Sequence, residues 1–95
     1  MKIEYSPESI EDLIRLRKFI EIENPLAARR IANTILEGVD KLKIFPRMGL
    51  PVHRAPDPEL IRDLYIGPYT LRYLVSEKTI CILRIWHGKE IEKDL

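Results

Sequence analysis

Two dipeptides, Ser6-Pro7 and Asn24-Pro25, constrain this chain more than any other feature. Each sets an oxygen-bearing cap before a proline, which suits the first helical position because the amide hydrogen it lacks has no partner there. Asn24-Pro25 also ends the helix that Ser6-Pro7 begins, since a residue before proline is driven out of the α region. Two helices joined with almost no loop run as an antiparallel hairpin, with their apolar stripes facing one layer. In the first, Ile10, Leu13, Ile14 and Ile20 recur at helical spacing, and Leu16 and Phe19 widen the stripe. In the second, Ala28, Ile31, Ala32, Ile35, Val39 and Leu42 fall three and four apart. Gly38 inside it costs about 1 kcal/mol against alanine, which weakens the helix slightly or marks a close approach.

The hairpin needs a layer to cover. "KIEY" alternates like a short strand, and "LIRDLYI", "YTLRYLVS" and "TICILRIWH" are β-branched and aromatic runs separated by Gly67-Pro68 and Glu77-Lys78. Between helices and strands, "FPRMGLPVHRAPDPE" holds four of the seven prolines and no periodicity, so it reads as a long irregular loop. The order is β-α-α-β-β-β: an α+β domain spanning residues 1–95, with a small antiparallel sheet and the helical hairpin on one face. The final "GKEIEKDL" carries no packing signature and is expected to fray.

Several function classes are excluded on composition. No apolar run reaches the roughly 20 residues a bilayer span needs, and "KIEY" is not a signal-peptide core, so no membrane partner and a cytoplasmic location are expected. Cys81 is the only cysteine, and with His53 and His87 as the only histidines no tetrahedral Cys/His zinc set can form. Neither a metal nor another cofactor is expected, and both glycine-rich phosphate-loop patterns are absent. No serine or cysteine stands in a nucleophile context: Ser6 is a cap, Ser9 lies on a helix, Ser76 in a turn, and Cys81 reads as a small core residue. Net charge is +1, but residues 25–54 hold six Lys/Arg against two Asp/Glu. Direct sequence-specific DNA binding by this chain alone is not indicated; any such contact would need a local patch.

One stretch resists a purely structural account. "LRIWHGKE" sets Arg84 inside an apolar run and ends on Trp86 and His87. Alternation puts Cys81, Leu83 and Ile85 on one face and Ile80, Ile82, Arg84 and Trp86 on the other, so the strand is central. If the helices cover the odd-numbered face, Arg62, Arg72 and Arg84 project from the second, open face among Leu64, Leu74 and Trp86, suited to bidentate phosphate or carboxylate contacts. The competing reading pairs each arginine with a nearby acid such as Asp63 or Glu77. His87 should point opposite Arg84 unless the strand end bulges. It is either a strand-terminal imidazole or a general acid or base. Arg29, Arg30, Lys41 and Lys43 ring the second helix, whereas Arg47 and Arg54 flank the long loop.

Taken in order, "YSPESIEDL", "NPLAARRIANTILEGVDKL", "FPRMG", "IRDLYIGPYTLRYLVS" and "ICILRIWHGKE" resemble the RelE/ParE superfamily of toxins from type II toxin–antitoxin systems, over nearly the whole chain. The "NP-x-AA" helix start and the terminal "LRIWHGK" fit the ParE branch best. The resemblance implies a plasmid-stabilisation type toxin neutralised by a cognate antitoxin whose disordered segment folds as it wraps the toxin. ParE-like members are associated with inhibition of DNA gyrase and growth, without catalysis. RelE-like members are ribosome-dependent mRNA endonucleases. On that alternative, the carried-over catalytic candidates are Arg62 and Arg84, with His87 near the terminal acid/base position. That set is incomplete, because no tyrosine follows His87 and the loop offers Arg47, His53 and Arg54 rather than a lysine cluster. A non-toxic interaction protein of the same fold is a further alternative. Candidate residues for binding the target or the antitoxin are Arg47, Arg54, Arg72, Arg84, Trp86 and Lys89, with the antitoxin on the hairpin's outer side, the sheet edge and part of the open face.

Overall fold

The caps act where the sequence places them. In a computed structural model describing residues 1–90, Ser6 Oγ accepts the amide of Ser9 at 3.0 Å and opens α1 (Pro7–Glu23). Asn24 ends α1 and caps α2 (Pro25–Leu42) by accepting the Ala27 amide at 3.1 Å. β1 (Lys2–Tyr5) precedes the hairpin; β2 (Leu50–Pro51), β3 (Ile61–Ile66), β4 (Tyr69–Val75) and β5 (Thr79–His87) follow it. They form one sheet in the order β1-β5-β4-β3-β2. β3, β4 and β5 are the antiparallel meander expected, while β1 lies parallel to β5, making the sheet mixed at that edge.

The helices cover one face. Leu16 of α1 and Ile35, Val39 and Leu42 of α2 meet Leu64, Tyr69, Leu71, Tyr73, Val75, Ile80, Ile82 and Ile85 in one buried cluster. Of the α2 stripe, Ala28, Ile35, Val39 and Leu42 are buried, and Ile31 and Ala32 are partly so. In α1 the buried positions are Ser9, Asp12 and Leu16, whereas Ile10 and Ile14 are half exposed and Phe19 is 69% exposed. Gly38 marks a close approach: a Cβ there would lie 2.6 Å from Ile66 Cδ1.

The face assignment of β5 differs from strict alternation. Tyr73 pairs with Ile82 and Arg72 with Arg84, so a bulge at Leu83 shifts the register by one residue. Ile80 and Ile82 face the helices before it, and Ile85 and His87 after it, each opposite a core-facing residue of β4. The second face carries Asp63, Thr70, Arg72 and Trp86, all less than a tenth exposed, so it is not the open surface that alternation suggested. The closing segment is held at its start: Gly88 N donates to Pro68 O at 2.7 Å and Glu90 N to His87 O at 2.9 Å. The rest of the stretch expected to fray, residues 91–95, lies outside the described residues. No helix among the described residues is long and apolar enough to cross a membrane.

Candidate functional site

β1 covers β5 only as far as Ile82, and an uncovered strand edge is a liability. Side chains close it. Ser6 Oγ donates to Leu83 O at 2.8 Å, Ile85 N donates to Asp12 Oδ2 at 2.9 Å, and Arg15 Nη2 donates to Ile85 O at 3.3 Å. His87 N donates to Glu90 Oε1 at 2.9 Å. Arg84 then joins this polar seam: its Nε and Nη2 donate to Asp12 at 2.8 and 3.0 Å, and Arg15 bridges Asp12 to Glu90. Burial opposes ionisation of Asp12, but the bonds from Arg84, Ile85 and Arg15 outweigh it and hold the carboxyl below its ordinary range. The same carboxylate raises the pKa of Arg84.

Arg72 and Arg84 are paired neighbours across β4 and β5, and Arg72 is paired with Asp63 of β3. Arg72 holds Asp63 in a two-pronged bond of 2.8 and 2.9 Å and lies 5.0 Å from the Trp86 ring centre. Asp63, Arg72, Arg84 and Asp12 thus form a row across the sheet in which each guanidinium is matched by a carboxylate. Arg62 does not belong to it. Its strand partner is Tyr73, on the helix-covered face, and it is 7% exposed. Its guanidinium donates to Glu59 O (3.0 Å), Gly49 O (2.8 Å), Arg47 O (3.4 Å) and the Glu59 carboxylate (2.9 Å). The sequence reading of three guanidiniums projecting from one surface is therefore corrected: two share a row in which each is paired with a carboxylate, and the third ties down a loop.

His87 does point opposite Arg84. Its ring stands edge-on to Tyr69 at 5.2 Å, and its Nδ1 accepts the Lys89 amide at 3.0 Å. Both rings line a cavity of about 560 Å³ with Arg15, Phe19, Lys89 and Glu90. Of the binding candidates, Trp86 and Arg72 are buried, Lys89 and Arg54 are exposed, and Arg47 is an exposed partner of Glu59. Among the described residues no group of three His, Cys, Asp or Glu side chains could hold a metal ion.

The larger concavity is one the strand-based reading missed. A cleft of about 920 Å³ opens between the end of α2 and the β4–β5 turn, walled by Phe45, Pro46, Met48, Leu60, Leu74 and Val75. Ile44 and Phe45 stand 72% and 61% exposed beside it. Its sequence signal is three large apolar residues, Ile44, Phe45 and Met48, in a loop with no periodicity to bury them. The missed polar residue is Asp12, whose signal is a carboxylate four positions before Leu16, on the buried side of α1.

The chain is similar to known proteins over most of its length. A curated relative, Toxin RelE2 of Caulobacter vibrioides, is 30% identical over 83 residues, spanning 87% of this chain and 90% of that protein. A solved structure of the chromosomal ParDE toxin–antitoxin system from P. aeruginosa superposes with a TM-score of 0.74 at 23% identity, covering 92% of this chain and 95% of that one. Residues 3–92 match the family described as ParE toxin of type II toxin-antitoxin system, parDE. A helical hairpin packed on a small sheet, with this match over nearly the full length, places the chain in the ParE toxin family of type II toxin–antitoxin systems, within the RelE/ParE superfamily.

Proposed function

We propose that this toxin acts by binding rather than by cleaving, in the cytoplasm and with DNA gyrase as its target. Its cognate antitoxin neutralises it by folding an apolar segment into the Phe45–Met48 cleft. The observation that carries the reading is the commitment of the arginines: Arg84 to Asp12, Arg72 to Asp63, and Arg62 to Glu59 and two loop carbonyls. A ribonuclease of RelE type would need such groups aimed at a scissile phosphate. The exposed side chains of Ile44 and Phe45 supply apolar surface that a folding segment would bury.

The test is a short induction of the chain alone in a bacterial host, with plasmid supercoiling and primer-extension cleavage sites read from the same cells. Relaxed or broken DNA with intact messages is expected. Cut messages with normal supercoiling would overturn the binding reading in favour of the second one, ribosome-dependent mRNA cleavage of RelE type. In that case Arg84→Ala should abolish cleavage, with Arg62 and His87 as its companions. Harmless induction would instead identify a non-toxic interaction protein.

A further inference from the structure

The segment between α2 and β3 has little to hold it. It contains four prolines in residues 45–59, and its only ladder is the two-residue β2. Backbone groups outside a ladder need other partners: turn bonds such as Met48 N to Phe45 O and Ala55 N to Val52 O serve some, the exposed Arg47–Glu59 pair links the two ends, and the buried Arg62 binds both ends from behind. Arg62 reaches Arg47 O and Gly49 O at the near end and the Glu59 carbonyl and carboxylate at the far end. A second tether meets the same spot: Gly49 N donates to Tyr73 Oη at 2.9 Å. The fit around Gly49 is closed, because a Cβ there would lie 2.8 Å from both Asp63 O and Tyr73 Oη. Phe45, Pro46 and Met48, the wall of the large cleft, are thus pinned from behind by a guanidinium that does not face the cleft itself.

We propose that Arg62 is the positioning residue of the antitoxin-docking cleft, holding the Arg47–Gly49 backbone so that Phe45 and Met48 keep the cleft open. This rests on the reading of that cleft as the antitoxin's docking surface. The role demands arginine: its planar fork reaches several carbonyls in two directions, whereas the ammonium of lysine is a single point charge on a flexible stem. It also gives a reason for a buried arginine at a strand start that needs no nucleic acid or target contact.

The test titrates the cognate ParD-type antitoxin into full-length wild type, Arg62→Lys, Tyr73→Phe and Phe45→Ala. Dissociation constants are measured by calorimetry and amide exchange by mass spectrometry. Arg62→Lys and Tyr73→Phe are each expected to weaken antitoxin binding about tenfold and to speed exchange at Gly49. Phe45→Ala should weaken binding by a similar factor with Gly49 protection unchanged. A merely structural role would lower the melting temperature of the free toxin without changing the affinity of the folded fraction. Wild-type affinity in both tether variants, with Phe45→Ala weakened, would overturn the role of Arg62 and leave the docking reading standing. Wild-type affinity in Phe45→Ala would overturn the docking reading and the proposal with it. Should Arg62→Lys fail to fold, Tyr73→Phe decides alone, wild-type affinity counting against the proposal.

Discussion

At the scale of single residues, Asp12 concentrates the most consequence. Its side chain is 1% exposed and accepts bonds from Arg84, Arg15 and the Ile85 amide. Removing one member of a buried charge cluster strands the others, so Asp12→Asn should cost about 2–4 kcal/mol in denaturant unfolding. The pH dependence has a definite sign. The folded carboxyl lies below its unfolded value of about 3.9, so its stabilisation is complete above that value and is lost as pH falls from there through the lower folded value. Wild type should therefore lose stability more steeply than Asp12→Asn as pH falls below about 5. Equal slopes in urea titrations across that range would refute the assignment. Gly49 gives a steric counterpart: Gly49→Ala should destabilise by about 1–3 kcal/mol, because the contacts its Cβ would meet include backbone.

At the scale of elements, α1 has two tasks that pull its composition apart. One side contributes Leu16 to the core, while Ser6, Asp12 and Arg15 seal the edge of β5 that β1 leaves bare. This is why polar Ser9 and Asp12 are buried and Ile10 and Ile14 are half exposed. Ser6 serves both ends of the arrangement, capping α1 and donating to Leu83 O at the bulge. Ser6→Ala should cost about 1–2 kcal/mol, more than a cap alone at most exposed sites, measured by thermal or urea melts. In α2, Gly38→Ala brings a new methyl group against the end of the flexible Ile66 side chain, so the gain in helix propensity of up to about 1 kcal/mol is largely offset. A melting temperature within a few degrees of wild type is expected, and a large fall would mean that Ile66 cannot move aside.

For the whole molecule, the charge row and the apolar cleft divide the work. The row Asp63–Arg72–Arg84–Asp12 fastens the sheet to α1, and the cleft beyond α2 keeps apolar area exposed. A toxin that exposes such area gains stability from the partner that covers it. Antitoxin at 100 times its dissociation constant should add about 2.7 kcal/mol, raising the melting temperature by roughly 10 °C or more in a chain of this size. The check is a melting series against antitoxin concentration, and a flat response at saturation would argue against the pairing.

What the sequence determined by itself is what local physics controls. Caps, prolines and periodicity act within a few residues, so α1 begins at Ser6-Pro7 and gives way to α2 at Asn24-Pro25, and β3, β4 and β5 lie where the β-branched runs do. Arg62, Arg72 and Arg84 were legible as residues that need partners, but not the identity of those partners. Asp12 is 72 positions from Arg84 in the chain, and Arg62 binds backbone carbonyls that carry no residue signature at all. Only the tertiary structure set β1 parallel to β5, inserted the bulge that reversed the faces of its second half, and brought α1 to the bare edge. Each of these depends on contacts distant in sequence, where pairing geometry and the need to satisfy buried polar groups override alternation.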